Sequence, residues 1–209
     1  MVYNFTKRIL DVLGSFLGII LLSPIFLIVA LAIKIDSAGP VLANTPKREG
    51  KDGKLFTMYK FRSMVENAQE ILQKNRKLME EYKKHSYKIV NDPRVTSVGK
   101  FIRRFSIDEL PQLINILKGD MSMVGPRAYY PFELEEQQIK YPTSRKFVKI
   151  ILSSKPGVTG VWQVSGRSQI NFDKRVEMDA WYVQKKSIIY DIWILLKTIP
   201  AVISGRGAI

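Results

Sequence analysis

The most constraining feature of this chain is a run of 22 uncharged, mostly apolar residues between Asp11 and Lys34. At 1.5 Å per residue, a straight helix of this length reaches about 30 Å, enough to span a bilayer. Ser23 and Pro24 stand in the middle of the run, and an interior proline removes a hydrogen bond and kinks a helix. We therefore expect a membrane helix that is broken at these two residues.

Both flanks of the apolar run are basic. Lys7 and Arg8 precede it, and Lys34 opens a following stretch that is rich in lysine and arginine. Positive flanks prefer the cytoplasmic face, so both ends favour the same side, and a re-entrant helix satisfies this preference. A straight crossing is the alternative, because prolines are tolerated in spanning helices. A signal peptide is disfavoured because the run lacks a small-residue cleavage site.

Residue content excludes several kinds of catalysis. The 209 residues include no cysteine and one histidine, His85, which excludes disulfides, thiolate sites, Ser-His-Asp triads and multi-histidine metal sites. Any catalysis must come from carboxylates, cations or an oxygen-ligated metal. The net charge of +14 requires an anionic partner, and nucleic acid, acidic lipid and a phosphorylated small molecule all satisfy it.

An acidic pair stands out within residues 106–111, which read SIDELP. Proline is tolerated in the first turn of a helix, so the apolar spacing that follows predicts a helix beginning near residue 109. Asp108 then lies at the positive end of the helix dipole, where a carboxylate stays ionised and phosphates bind, and it is a candidate nucleophile. The alternative is a simple helix start, with Ser106 and Glu109 as a capping box.

The remaining pattern predicts a helix-rich α+β fold. We expect a re-entrant membrane helix over residues 1–36 and a single compact cytosolic catalytic domain with a small strand element over residues 37–209. The domain's strand-like segment is 55–61, after a hairpin turn, and Pro200 is expected to interrupt its last helix. The expected helices are 65–82, 98–105, 109–118, 131–141, 176–183 and 188–203.

Several short motifs follow one another in order: KRILD at 7–11, Ser23-Pro24, GPV at 39–41, MYKFRSM at 58–64, SIDELPQL at 106–113, LKGDMSMVGPR at 117–127, KPGVTG at 155–160 and QVSGR at 163–167. A solvated basic face is the ordinary explanation for any one of the cationic segments. Together, the motifs resemble the monotopic phosphoglycosyl transferases, bacterial sugar transferases that start glycan assembly on a polyprenyl carrier. Ala128 departs from the proline usual after Gly-Pro-Arg, and residues 43–49 are atypical, so we assign no function to that segment.

The resemblance implies a two-step reaction. Asp108 attacks the β-phosphate of a UDP-sugar and expels UMP, and a polyprenyl (undecaprenyl) phosphate then displaces the sugar phosphate. Glu109 positions or deprotonates the incoming group, and Mg²⁺ is the implied cofactor, with Asp108 as a ligand. The implied substrate-binding residues are Lys60, Arg62, Arg104, Pro126, Arg127, Gln163, Arg167, Arg175 and Asp179.

The resemblance also implies a setting. It places the protein at the bacterial cytoplasmic membrane with the active site on the cytoplasmic face, in contact with membrane lipid and without nucleic acid, and it leaves a homo-oligomer open. Residues 163–167 and Lys197-Thr198 favour galactose or glucose as the sugar. Structural roles remain open for Trp162, Arg175 and Asp179, and are favoured for Asp120.

Two other functions compete with this one. A membrane-tethered basic module that recruits nucleic acid or acidic lipid predicts cations free of acidic partners, and it does not explain Asp108-Glu109. An inactive scaffold for glycan assembly is disfavoured by the intact acidic pair.

Overall fold

A computed structural model describes residues 2–84, 87, 89 and 91–205, so His85 lies outside the described residues. The described chain is rich in helix, with four short strands. The helices are α1 Val2–Asp36, α2 Ala68–Lys74, α3 Arg76–Lys84, α4 Ser97–Arg104, α5 Gln112–Lys118, α6 Pro131–Lys140, α7 Arg145–Ile151, α8 Val161–Ser165, α9 Phe172–Lys185 and α10 Ile188–Ser204. The strands are β1 Arg48–Glu49, β2 Leu55–Phe56, β3 Ser122–Val124 and β4 Gly157–Thr159.

Helix α1 runs through Ser23 and Pro24 without ending there, so the predicted break does not divide it into two helices. Pro24 has no N–H to donate to the carbonyl of Ile20, four residues earlier. The Ser23 hydroxyl donates to that carbonyl instead, at 2.8 Å. The serine therefore satisfies the acceptor that the proline leaves open, which explains why the helix continues.

Both ends of α1 are bound to the domain that follows it. The Arg8 guanidinium donates to the carbonyls of Ile116 and Leu117 at the end of α5, at 2.6 and 2.9 Å. At the other end, Asp36 accepts the backbone N–H of Val98 at the start of α4, at 3.2 Å. Both ends of α1 thus contact one domain, whereas a straight crossing would place them on opposite sides of a membrane.

One face of α1 packs on the domain and the rest is exposed and apolar. Val29 and Ile33 are buried with Phe61 and Ile102, and only 11% of the most apolar stretch of α1 is buried. Within the described residues, α1 is the helix long and apolar enough to cross a membrane. An apolar surface of this extent indicates a lipid-facing helix. Its exposed large residues include Leu13, Phe16, Leu17, Ile20, Leu21, Leu27, Ile28 and Leu31.

The strands are shorter than the sequence predicts. β1 and β2 pair antiparallel around the expected turn, but β2 ends at Phe56 because Tyr59 donates its N–H to the Asn115 side chain, at 2.9 Å, rather than to a strand. β3 and β4 pair in parallel, Ser122 with Gly157 and Val124 with Thr159. This second pair brings the Gly-Pro-Arg turn beside residues 157–160, where a side chain on Gly157 would collide with the backbone of Gly125.

The helix predictions are mostly correct, with three differences. The single helix expected at 65–82 is two, because the Asn75 side chain caps α3 by accepting the N–H of Leu78, at 3.1 Å. α10 continues through Pro200 rather than being interrupted. Helices α7 and α8 were not predicted, and α7 packs with α6 and α9 around the buried rings of Tyr129 and Phe172.

Candidate active site

Asp108 lies in a tight 3-10 turn, Ile107–Glu109, between α4 and α5. Ser106 enters the turn in the left-handed region, with φ of 54°, and makes no side-chain cap. α5 begins only at Gln112, so the expected helix start near 109, directly after Asp108, is wrong. The capping box does not form either. The turn is fixed instead from the neighbouring segment, because Phe61 donates its N–H to the carbonyl of Asp108, at 2.9 Å.

Lys60 holds the acidic pair. Its ammonium lies 2.7 Å from a carboxylate oxygen of Glu109 and 3.8 Å from one of Asp108. Asp108 is 8% exposed, so its ionised form depends on this cation. The Glu109 side chain therefore pairs with a cation across the site, which is incompatible with a role as a helix cap.

The two carboxyl groups have different acidities. Burial raises the pKa of Asp108 to about 6. The positive charge of Lys60 lowers this pKa, and the negative charge of Glu109 raises it further. Burial also acts on Glu109, but Lys60, by its charge and its hydrogen bond, brings the net pKa of Glu109 below the usual value. At neutral pH both groups are mainly ionised, and Asp108 is the one that takes up a proton first as the pH falls.

These residues border a cavity of about 500 Å³. Of the predicted site residues, the structure brings Lys60, Arg62, Asp108, Glu109, Arg127, Gln163 and Arg167 to its wall. Arg167 also donates to the Ser106 hydroxyl at 3.4 Å, which ties it to the Asp108 turn. The cavity thus has carboxylates at one point and several guanidinium groups around them.

Arg103, and not the predicted Arg104, lines the cavity. Arg103 donates to the Ser63 hydroxyl at 2.8 Å, whereas the exposed Arg104 has its guanidinium 5.6 Å from the ring of Phe105. Neighbours on a helix point about 100° apart, so only one of two adjacent arginines can face the site. The structure therefore does not bring the predicted Arg104 to the cavity wall.

Arg62 and Pro126 also differ from their predicted roles. The Arg62 guanidinium donates to the carbonyls of Ser37, at 2.7 Å, and Ala38, so it closes the end of α1 instead of facing a ligand. Pro126 does not line the cavity, and its carbonyl accepts the N–H of Gly157 at 2.9 Å. Pro126 thus lies outside the cavity, whereas Arg62 lines it with its guanidinium bonded to the end of α1.

Arg175 and Asp179 lie behind the cavity wall. Asp179 accepts the backbone N–H of Arg127 at 2.9 Å, and burial raises its pKa to about 7. The ring of buried Trp162 lies 5.2 Å from the guanidinium of Arg127 and 4.9 Å from that of Arg175. Asp179 thus holds the backbone of Arg127, and Trp162, which lines the cavity, packs near the guanidinium groups of Arg127 and Arg175. Asp120 accepts from the Asn115 side chain at 3.3 Å, in keeping with the structural role favoured for it.

The site has the oxygen donors that Mg²⁺ prefers, but few of them. Asp108 and Glu109 both line the cavity, and no group of three or more metal-binding side chains occurs in the described part of the chain. Mg²⁺ is commonly bound by one or two carboxylates together with substrate phosphates and water. The residues therefore fit Mg²⁺ that arrives with a phosphorylated substrate.

A carboxylate pair with one buried member and several cations around it, on a domain attached to a lipid-facing helix, defines a membrane-associated protein that handles phosphorylated ligands. Comparison with known proteins gives the family. Residues 2–205 match the family model described as bacterial sugar transferase, and the chain belongs to that family. The resemblance stated from the motifs is confirmed.

The relatives differ in length. The undecaprenyl-phosphate galactose phosphotransferase of Salmonella typhimurium is 44% identical over 98% of this chain, which spans 42% of that protein. The exopolysaccharide production protein ExoY of Sinorhizobium fredii is 42% identical, covering 97% of this chain and 88% of the relative. The galactosyl transferase CpsE of Streptococcus agalactiae is 41% identical over 97% of this chain and 43% of its own length. The chain thus spans less than half of two of these relatives.

Proposed function

We propose that this chain transfers a sugar 1-phosphate from a UDP-sugar to a membrane polyprenyl phosphate, giving a polyprenyl-diphosphate sugar and UMP. The names of the Salmonella and Sinorhizobium relatives support this reaction class and a place in the assembly of surface polysaccharide. The observation that carries the proposal is the Asp108 carboxylate, which is buried against Lys60 at a cavity wall and has a pKa of about 6. Such a carboxylate is ionised at neutral pH but poorly solvated, which suits a nucleophile.

The reaction has two displacements. In the first, a carboxylate oxygen of Asp108 bonds to the β-phosphorus, and the bond to the bridging oxygen breaks, so that its electron pair leaves with UMP. In the second, an oxygen of the polyprenyl phosphate bonds to the same phosphorus and Asp108 leaves as a carboxylate. One site can thereby serve a water-soluble donor and a lipid acceptor in turn.

The surrounding residues have distinct tasks. Lys60 holds Glu109 and offsets the charge of Asp108, and Glu109 is placed to accept a proton from a monoprotonated acceptor phosphate. Arg127 and Arg167 line the cavity and can bind phosphate oxygens. Mg²⁺ held by Asp108 and Glu109 would supply further neutralisation of phosphate charge.

The membrane placement follows from α1. Its ends lie on one side and carry Lys7, Arg8 and Lys34, and such basic flanks favour the cytoplasmic face. A site on this side meets the head group of a carrier lipid at the interface. We propose galactose or glucose as the sugar, and the galactose phosphotransferase and galactosyl transferase relatives agree with the first.

Asp108→Asn tests the nucleophile. We expect it to abolish UMP release, measured across a panel of UDP-sugars in detergent, together with the phosphosugar adduct on Asp108 that mass spectrometry detects in trapped wild-type protein. The variant should remain folded and unfold at a higher temperature. Folding raises the pKa of Asp108, so its ionised form destabilises the native state above pH 6, by roughly 1–3 kcal/mol.

Asp92→Asn is the matched control. Burial also opposes ionisation of Asp92, but two hydrogen bonds from the Arg94 guanidinium, at 2.6 and 2.9 Å, bring its pKa below the usual value. This control should therefore lower the unfolding temperature while UMP release persists in the folded fraction. Full activity of Asp108→Asn, or an adduct on another residue, would show that the nucleophile is assigned wrongly.

A further inference from the structure

Arg48 is a buried cation in the segment to which the sequence assigns no function. It lies on β1, is 7% exposed and lines the cavity. Its guanidinium lies 3.3 Å from the centre of the Tyr130 ring, and one of its N–H groups donates to the carbonyl of Ala128 at 3.2 Å. Its Nε is buried without a hydrogen-bond partner. Buried polar groups are nearly always paired, so an unpartnered donor at a cavity wall indicates a missing acceptor.

Arg127 presents the same anomaly beside it. Its guanidinium is packed against Trp162 but donates no hydrogen bond within the described residues, and its Nε is also buried without a partner. The two cations act on each other: burial is the main cause that lowers the pKa of Arg48, and the charge of Arg127 contributes. Two guanidinium groups therefore line one cavity wall, and the charge of Arg127 disfavours the charged form of Arg48.

The carboxylates nearby act on these arginines without forming an ion pair with either of them. Glu133, on α6, favours the charged form of both arginines, but no ion pair within 4.0 Å joins either arginine to a carboxylate in the part of the chain that the structure describes. By contrast Arg94, which borders the same cavity, is paired with Asp92 at 2.6 Å. Arg48 and Arg127 therefore remain cations with N–H groups that have no protein acceptor, and a phosphate oxygen can accept from such groups.

The position of the pair along the cavity indicates which phosphate it binds. Arg127 acts electrostatically on Glu109, next to the nucleophile. Arg48 is bonded to the carbonyl of the following residue, Ala128, and lies against Tyr130, so it is one step further along the wall. The rings of Tyr82 and Tyr87 also line the cavity. A diphosphate with its β-phosphorus at Asp108 would thus carry its α-phosphate towards Arg48.

We propose that Arg48, together with Arg127, binds the α-phosphate of the donor nucleotide and stabilises the charge that this phosphate gains when it leaves as UMP. This inference rests on the proposed function, because that function supplies the diphosphate and its direction of cleavage. The residue acts as a binding residue for the leaving group and does not itself form a covalent bond.

The test is the affinity of UMP compared with uridine, which lacks the phosphate. Using the full chain in detergent and ligand-observed NMR, we expect Arg48→Met to weaken UMP binding about 10- to 100-fold and to leave uridine binding within about twofold. Arg48→Lys keeps the positive charge but loses the planar guanidinium that can donate two parallel hydrogen bonds, so it should weaken UMP binding by an intermediate factor. The unfolding temperature of Arg48→Met should equal or exceed that of wild type, because the change removes a buried, repelled cation.

Arg94→Met is the matched control, since it removes a buried arginine from the same wall. It should lower the unfolding temperature, because Asp92 loses its partner, and leave the ratio of UMP to uridine affinity unchanged. Equal losses of UMP and uridine in Arg48→Met, or no loss, would overturn the inference. Wild-type protein that binds no UMP would overturn both proposals. Arg48-dependent UMP binding without UMP release from any UDP-sugar would overturn the proposed function alone.

Discussion

Burial, rather than a helix dipole, sets the acidity of Asp108. The sequence predicts a helix that begins near residue 109 and places this carboxylate at the positive end of its dipole, which predicts a readily ionised group. In the structure α5 begins only at Gln112, and burial in the turn raises the pKa to about 6. The identity of the residue is predictable from the motif, but its environment depends on how Lys60, Glu109 and the turn pack together. Sequence spacing does not contain that information.

This pKa predicts the pH dependence of the reaction. The ionised form of Asp108 is the nucleophile, so kcat/KM for UMP release should fall as the pH drops through about 6 and be about tenfold lower at pH 5 than at pH 7. Because Lys60 lowers this pKa and Glu109 raises it, Lys60→Met should shift the acidic limb to higher pH and Glu109→Gln should shift it to lower pH. An acidic limb that stays in place in both variants would contradict the assignment to Asp108.

The arginines show where residue-level prediction stops. Charge and motif correctly predict that Lys60, Arg127 and Arg167 lie at the site, since all three line the cavity. Which of Arg103 and Arg104 reaches it depends on the rotation of α4, which its apolar face determines only approximately. The sequence does not predict a role for Arg48. The proposed role depends on its unpartnered Nε and on the charge of Arg127, and both depend on how the folded chain packs.

At the scale of secondary-structure elements, the sequence predicts those elements whose ends are fixed by residues close to them in the chain. Helix α4 is correctly placed, and its Thr96 cap accepts the N–H of Gly99 at 3.0 Å. The parallel pair of β3 and β4 is not predictable, because three-residue strands show no useful alternation of apolar and polar residues. Their pairing is fixed by chain segments far apart in sequence, and it is this pairing that positions Arg127.

Helix α1 gives a prediction about Ser23. Ser23→Ala leaves the carbonyl of Ile20 without a donor, so it should destabilise the helix by about 1 kcal/mol. In a Pro24→Ala background the residue at 24 has its own N–H, so the same serine change should cost almost nothing. Thermal unfolding of the four proteins of this double-mutant cycle, in one detergent, measures the coupling. Equal costs of Ser23→Ala in both backgrounds would show that the hydroxyl does not substitute for the missing amide.

At the scale of the whole molecule, the anchor and the domain form one unit. Polar contacts attach the first turns of α1 to two separate parts of the domain, α10 and β3. Lys7 pairs with Asp191 at 2.7 Å, and buried Asp11 accepts from the Ser122 hydroxyl and the Met123 N–H, at 2.8 and 2.9 Å. The sequence predicts the long apolar helix, and the common side of its basic flanks stays a prediction. It does not foresee that α1 lies along the domain over much of its length, since nothing local in an apolar run specifies a protein partner.

This attachment predicts the topology of the anchor directly. The chain has no cysteine, so single cysteines introduced at exposed Val2 and Lys47 report the two flanks of α1, and one at exposed Lys149 on α7 reports the domain. In sealed inverted and right-side-out membrane vesicles, a membrane-impermeant maleimide should label all three positions from the cytoplasmic side and none from the other. Arg8 and Asp36 hold the two ends to α5 and α4, so their positions are coupled to that of the domain. Labelling of Val2→Cys from the opposite side to Lys149→Cys would mean that α1 crosses the membrane and that its packing against the domain does not survive in a bilayer.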